Sequence, residues 1–353
     1  MSTVAIITDQ HFGCRADSPV FLDYFEMFYH DVFFPHIIKN NIKEVIDLGD
    51  TFDRRKYVNF QTLKRAREMW FDVLFQNNIK LYCLLGNHTT YHKNNSSVNA
   101  IRELIGKYPN VIVYEKVTEV IFNGTKVLFV PWINDGNQED SLTQIKKTDA
   151  EICMGHLELK GFLMNRGQKS EIGFDSEIFN KFKLVVSGHY HHKSNSGNVF
   201  YLGSPGEMTF ADINDPRGFH TWETNTTELD FYKNPFKMFY KIFYDDKDQP
   251  LPAILKKVSD KYRGAHVKVV VQNRTNPAYF DKFMERLFSM QPADIKIEED
   301  MADDGSQDTN IDMAEDTLTI LNKYVDTLEI DIDKDKIKEE LRLLHVEAIN
   351  MER

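Results

Sequence analysis

Short apolar runs alternate with longer amphipathic stretches through the first 130 residues. Residues 4–7, 45–48, 81–85 and 111–114 are such runs and read as buried strands, with period-3.6 patterns at 21–39 and 61–76 as helices between them. That alternation predicts an α/β layered fold. Asn123-Gly124 between the apolar runs 117–122 and 126–130 signals a tight hairpin. Further strands are expected at 152–154, 184–187 and 199–202. After Asp230 the pattern becomes strand, helix, strand, helix, strand (238–244, 252–262, 266–271, 277–290, 295–297), a second small α/β unit. Farther on, Leu318, Leu321, Val325 and Leu328, then Ile337, Leu341, Leu344, Ala348 and Met351, recur at spacings of three and four, which predicts two amphipathic helices.

Composition changes this picture little and charge changes it more. Of 353 residues, 42% are apolar, enough for sizeable cores, so disorder of the whole chain is excluded. No apolar run reaches the roughly 18–20 residues that span a bilayer, and the N-terminus reads as a strand rather than a secretion signal. Three widely spaced cysteines (Cys14, Cys83, Cys153) suggest a reducing compartment. The net charge of −11 would argue against a nucleic-acid partner. Residues 298–335 alone hold 14 acidic and two basic side chains, however, so the remaining 315 sum to +1. The body is neutral, and DNA remains a possible partner.

Apolar strands end directly in Asp9-Gln10-His11, Gly49-Asp50, Gly86-Asn87-His88, Gly155-His156 and Gly188-His189-Tyr190-His191. Carboxyl ends of strands are where α/β folds place their sites. Carboxylates and imidazoles with one amide oxygen suit Mn²⁺, Fe²⁺ or Zn²⁺ better than Ca²⁺ or Cu⁺. Asp9, His11, Asp50, Asn87, His156, His189 and His191 are too many ligands for one ion with open positions and fit two, with Asp50 as the natural bridge. A single His at a strand end is most often structural; five Gly-bordered motifs in one order outweigh that reading. His30, His36, His220, His266 and His345 lack such context and read as structural or surface residues, and Cys14 reads as an incidental thiol. His92 and His192 flank motifs and are candidates for substrate contact.

The motif string resembles that of calcineurin-like metallophosphoesterases: D-x-H, G-D-x-x-D, G-N-H, G-H and G-H-x-H, in order from Asp9 to His191. The resemblance implies a two-sheet sandwich flanked by helices. It assigns Asp9, His11, Asp50 and His191 to one divalent ion and Asp50, Asn87, His156 and His189 to the other. Mn²⁺ is the expected metal, with Mg²⁺, Fe²⁺ and Zn²⁺ as alternatives. His88 is implied as the catalytic acid and Asp53 as its orienting partner. One departure is Thr89, where many members carry Asp or Glu. A second is Arg55, where phosphatases of the superfamily have Gly, and this disfavours a protein phosphatase.

Within the superfamily the chain is similar to SbcD-type nuclease subunits of double-strand-break repair complexes, phage-encoded recombination endonuclease subunits among them. Thr8 to Gly13, Asp50 to Lys56, Gly203-Ser204-Pro205 and Asn214 to Phe219 carry that likeness. It implies a nuclease domain over 1–236 and a small α/β capping, DNA-binding domain over 237–300. An acidic linker over 301–316 and a helical tail over 317–353, docking an SMC-like ATPase, complete the expected organisation. It also implies action on double-stranded DNA ends, homodimerisation, and a cytoplasmic or nucleoid setting, in the host cytoplasm for a phage protein. Arg54, Arg55, Lys56, Tyr91, His92 and Lys93 follow the metal motifs and are candidate DNA contacts. The rival readings are a small-molecule phosphodiesterase or phosphatase with the same metals, and a scaffold weakened at Thr89.

Overall fold

The computed structural model describes residues 2–165 and 168–299, with residues 325, 334, 336–338, 340 and 341 beyond them. Contacts divide the chain into Met1–Asp300 and Met301–Arg353. The acidic linker and nearly all of the tail expected from sequence lie outside the described residues.

Two six-stranded sheets form the main body. One runs Leu229–Lys233, Gly218–Glu223, Thr3–Ile7, Glu44–Asp47, Lys80–Leu84, Val111–Tyr114 in spatial order. The other runs Ser194–Ser196, Val199–Tyr201, Leu184–Gly188, Ile152–His156, Thr125–Val130, Thr118–Phe122. The central strands are parallel, Ala5 facing Val45 and Val185 facing Cys153 in register. Period-2 alternation divides each strand between two cores. Val4 and Ile6 join Ile46, Leu84, Phe129, Met154, Val186 and Trp222 between the sheets. Ala5 and Ile7 face a layer of helices holding Phe25, Phe28, Phe33, Trp70 and Phe71. The second sheet buries Cys153, Val185 and Tyr201 against its own outer layer, which includes Ile145, Phe179 and Phe182. Helix, sheet, sheet and outer layer stack as the family resemblance implies.

The two long helices differ from the simple expectation. Pro19–Phe28 passes through a π-turn, Tyr29–Phe33, into Phe34–Lys39. Phe60–Ala66 passes through another, Arg67–Phe71, into Asp72–Gln76. A π-turn widens the helix by one residue and rotates the side chains after it. Here that turns extra aromatics inward: Tyr29 and Phe33 each sit 5.0 Å from Trp70, ring centre to ring centre. Tyr29, Phe33 and Trp70 thus belong to a deep core.

Residues 237–299 carry a parallel three-stranded sheet, Phe239–Asp245, His266–Asn273 and Asp294–Glu299, with helices Leu251–Lys256 and Pro277–Ser289. Tyr244, Val269, Phe283 and Leu287 form its core. This segment has its own core yet falls in the same contact unit as the body. Glu207 links the two, its Oε2 accepting from the main-chain nitrogens of Met238 and Phe239 at 2.8 and 2.9 Å. All three cysteines are buried and unpaired. No helix among the described residues is long and apolar enough to cross a membrane.

Candidate metal centre

Loops leaving the carboxyl ends of the strands meet where the two sheets adjoin. The Asp9–Phe12 and Gly49–Thr51 loops are zipped together by main-chain bonds from Asp9 N to Gly49 O (3.0 Å), His11 N to Asp50 O (2.9 Å) and Phe12 N to Thr51 O (2.8 Å). Asp9, His11, Asp50 and His189 all hold left-handed backbone, with φ of 52°, 46°, 54° and 88°. That region is costly for non-glycine residues, and such strain concentrates at functional sites. The bordering glycines are there for proximity. A Cβ on Gly86 would lie 2.1 Å from Asp50 Oδ1, and one on Gly188 1.9 Å from Thr8 Oγ1.

Behind the loops, the buried Asp47 ties the two together. Its carboxylate accepts from Gln10 Nε2 (2.8 Å), Thr51 Oγ1 (2.7 Å) and Gly49 N (3.0 Å), and Tyr29 OH donates to Gln10 Oε1 (2.6 Å). Burial pushes Asp47 up to about 7 despite those donors.

Two groups of donor atoms converge in front. In Asp9–His11–His191 and in Asp50–His156–His189 the ligand atoms lie within 4.8 Å of one another, and a third set, His11–Asp53–His88, is as close and shares His11 with the first. His11 Nε2 faces His191 Nε2 at 3.0 Å, and Asp9 Oδ1 is 4.0 Å from each. Asn87 Oδ1 lies 3.0 Å from His156 Nε2 and 2.9 Å from His189 Nδ1. Asp50 Oδ2 sits between the groups, 3.2 Å from His156 Nε2 and 3.9 Å from His11 Nε2.

The donor chemistry fits cations here. His156 Nδ1 lies 3.0 Å from Leu48 O and can only donate to it, which leaves a lone pair on Nε2 facing Asp50 and Asn87 oxygens. His11 Nδ1 donates likewise to Asp53 Oδ1 at 3.1 Å, turning its Nε2 toward His191 and the carboxylates, where a proton takes the cation's place when no metal is bound. Lone pairs facing lone pairs repel unless a positive charge lies among them, and imidazoles anchored through the other nitrogen are the usual metal-site arrangement. The same electrostatics appear in the titrations. Burial opposes a charge on His11, but the Asp53 hydrogen bond and the Asp50, Asp53 and Asp9 charges raise it to about 9. Burial likewise opposes ionisation of Asp50, and His156, His88 and His11 together hold it far below the usual carboxylate range. Burial and the His11 charge push His191 down.

The contacts that Asp53 makes differ from expectation. Its carboxylate holds His11, not His88; His88 Nδ1 instead donates to the main-chain oxygen of Asp53 at 2.6 Å. His88 lies beside the metal residues, its ring 4.8 Å from that of His11, and burial lowers its pKa. Thr89 is buried and closes the turn by itself, donating to Gly86 O (3.0 Å) and accepting from Gly86 N (3.1 Å).

Among the candidate DNA contacts, Arg54 is engaged by Asp17 at 3.0 Å and stacks over Tyr57, and Arg55 reaches Thr90 Oγ1 at 3.4 Å. Lys56, Tyr91, His92 and Lys93 are exposed. His192 does not face substrate: it is buried and paired with Asp215 at 2.7 Å. Sequence reasoning missed Trp132, whose ring lies 5.1 Å from His189 and walls the second donor group. A Trp two residues past the strand Thr125–Val130 was the available signal.

Residues 2–193 match the family described as calcineurin-like phosphoesterase. The chain is 33% identical over 314 residues, 88% of its own length and 89% of the relative's, to exonuclease subunit 1 of Enterobacteria phage T4. Among solved structures it is similar to the nuclease MPE of Pseudomonas putida (15% identity, 62% of this chain and 82% of that one, TM-score 0.31). It is also similar to a purple acid phosphatase from yellow lupin seeds (14% identity, 62% of this chain and 48% of that one, TM-score 0.38).

Proposed function

The chain belongs to the calcineurin-like phosphoesterase family, and from that premise we propose that it is a metal-dependent DNA nuclease, hydrolysing phosphodiesters at double-stranded ends. The observation that carries this reading is the convergence of anchored imidazole lone pairs and carboxylates on two adjacent points that share Asp50. Asp9, His11, Asp50 and His191 would hold one divalent ion, and Asp50, Asn87, His156 and His189 the other. Mn²⁺ suits this mixed oxygen and nitrogen set. When bound, such ions neutralise the diester's oxygens and activate water as the nucleophile.

The chain's own residues supply the rest. His88, with Nδ1 donating to the Asp53 carbonyl, carries its lone pair on Nε2, which would take a proton from the attacking water and return it to the leaving oxygen. Asp53 serves twice, its carboxylate orienting His11 and its main chain orienting His88. Lys56 and Lys93 are exposed and free to meet backbone phosphates, Tyr91 and His92 add contact surface, and Arg54 and Arg55 frame the loop from half-buried positions.

The likeness to a phage exonuclease subunit over 88% of the chain favours DNA over a small phosphodiester and supports a multisubunit setting. The reading includes residues 237–300 as a DNA-facing cap, an SMC-like ATPase bound through residues 317–353, and a cytoplasmic site of action. A homodimer is part of the reading, and a groove of about 350 Å³ beside the two π-turned helices, lined by Phe34, Ile38, Met69 and Val73 together with Glu26, His30 and Glu68, offers it a surface.

The test is Mn²⁺-dependent degradation of linear duplex DNA against hydrolysis of bis-p-nitrophenyl phosphate. DNA cleavage abolished by chelator and by His88→Gln, with metal retained in that variant, is expected. Rapid turnover of the small diester without DNA cleavage would favour the small-molecule enzyme. Metal binding without any hydrolysis would favour a scaffold.

A further inference from the structure

The main-chain oxygen of His191 is gripped from behind. It accepts from Ser204 N at 3.1 Å and from Nη1 of Arg217, which is 3% exposed. Nη1 also donates to Ser204 Oγ at 2.8 Å, while Nη2 lies 2.6 Å from Asp212 Oδ1 and 2.8 Å from Asp215 Oδ2. Asp215 Oδ2 is in turn 2.7 Å from Nδ1 of the buried His192. Asp212 is fixed independently, its Oδ2 accepting from Met208 N (2.7 Å) and Thr209 N (2.8 Å). The chain closes in at Gly203, where a Cβ would come within 2.8 Å of the His191 oxygen.

A buried cluster of this kind is a poor source of stability, because desolvating the charges offsets most of their attraction. What it supplies is geometry. A guanidinium fork is planar and rigid, and its donors here go to the Asp212 carboxylate, the Ser204 hydroxyl and the main chain next to one imidazole, with Asp215 as a second negative charge beside it. Two neighbouring residues, His191 and His192, are held by the same cluster, one by its carbonyl and one by its ring.

We propose that Arg217 is a positioning residue for His191. By fixing the carbonyl of His191 it sets the approach of that imidazole toward Asp9 and His11, so the affinity of the first ion depends on a side chain that touches neither ion. The proposal rests on the two-ion reading above.

The test is Mn²⁺ titration calorimetry on the full chain, with melting temperature measured in parallel, for wild type, His191→Ala, Arg217→Met, Arg217→Lys and Asp215→Asn. Arg217→Met should lower affinity about 10–100-fold at one site, the same site that His191→Ala weakens, and leave the other unchanged. Arg217→Lys should recover part of the loss, since an ammonium can reach the carbonyl but cannot fork. Should Arg217→Met not fold, Arg217→Lys and Asp215→Asn decide the matter through the same site-selective loss. A lower melting temperature with both affinities unchanged, or equal weakening of both sites, would show Arg217 to be structural only. If wild type binds fewer than two ions, or His191→Ala costs no affinity, the two-ion reading itself fails and the proposal falls with it.

Discussion

Asp47→Asn should reverse its effect on stability between acid and neutral pH. The Asp47 carboxylate is fully buried and raised to about 7, whereas an unfolded chain would titrate it near an ordinary value of about 3.9. The folded state therefore holds this proton more tightly, so the favourable contribution is complete below about pH 4 and is lost as pH rises through 7. From those two values, wild type should lose roughly 2.5 kcal/mol from this group between pH 5 and pH 8. The asparagine variant has no such slope. Its amide has one oxygen in place of two. If that oxygen keeps Gln10 and Thr51, the amide of Gly49 is left unpaired, at a cost of about 1–3 kcal/mol. The variant should then be the less stable protein at pH 5 and the equal or better one at pH 8. Urea unfolding at 0.1 M salt with chelator, in half-unit steps from pH 5 to 8.5, measures this. Parallel curves for the two proteins would show that Asp47 is not raised and that its donors outweigh its burial.

His220 carries the opposite sign. Burial, with the Lys193 charge, pushes it down to about 3 from 6.5, so its contribution is intact above 6.5 and lost as pH falls; His220→Gln should remove roughly 2 kcal/mol of the acid-side loss at pH 5 in the same unfolding series. Phe283 is fully buried between Tyr244 and Phe280, and Phe283→Ala should cost about 3–5 kcal/mol by denaturant unfolding while leaving Mn²⁺ stoichiometry unchanged. Since Met1–Asp300 forms one contact unit, the chain ended after residue 300 should keep a cooperative melting transition and wild-type metal content, losing only the tail's helical circular dichroism and any stimulation by an ATPase partner; precipitation of the truncated chain would contradict this.

The candidate metal motifs stood out in the sequence because each lies where an apolar strand stops, and a strand buried on both faces leaves only its end for polar chemistry. The apolar runs placed the edge strand Val111–Tyr114 correctly and the central strands of its sheet to within a residue or two. Gly218–Glu223 escaped, because its buried His220 and Thr221 blur the apolar pattern and its partner Thr3–Ile7 lies more than 200 residues away. The π-turns escaped for a related reason: an aromatic excess reports burial but not the extra residue in the turn. At the site, residue types and order could name Asp53 but not say which of its oxygens serves His88. Likewise His192 could be read as a substrate contact until the fold brought Asp215 and Arg217, some 25 residues on, behind it.

The most direct measurement is anomalous diffraction from crystals of the full chain soaked in Mn²⁺, with an Asp50→Ala crystal treated in the same way. Two peaks are expected in wild type, one among Asp9, His11 and His191 and one among Asn87, His156 and His189, with Asp50 reaching both; the variant should show neither at comparable occupancy. A single peak in wild type, or one fully occupied site persisting in Asp50→Ala, would contradict a shared two-ion centre.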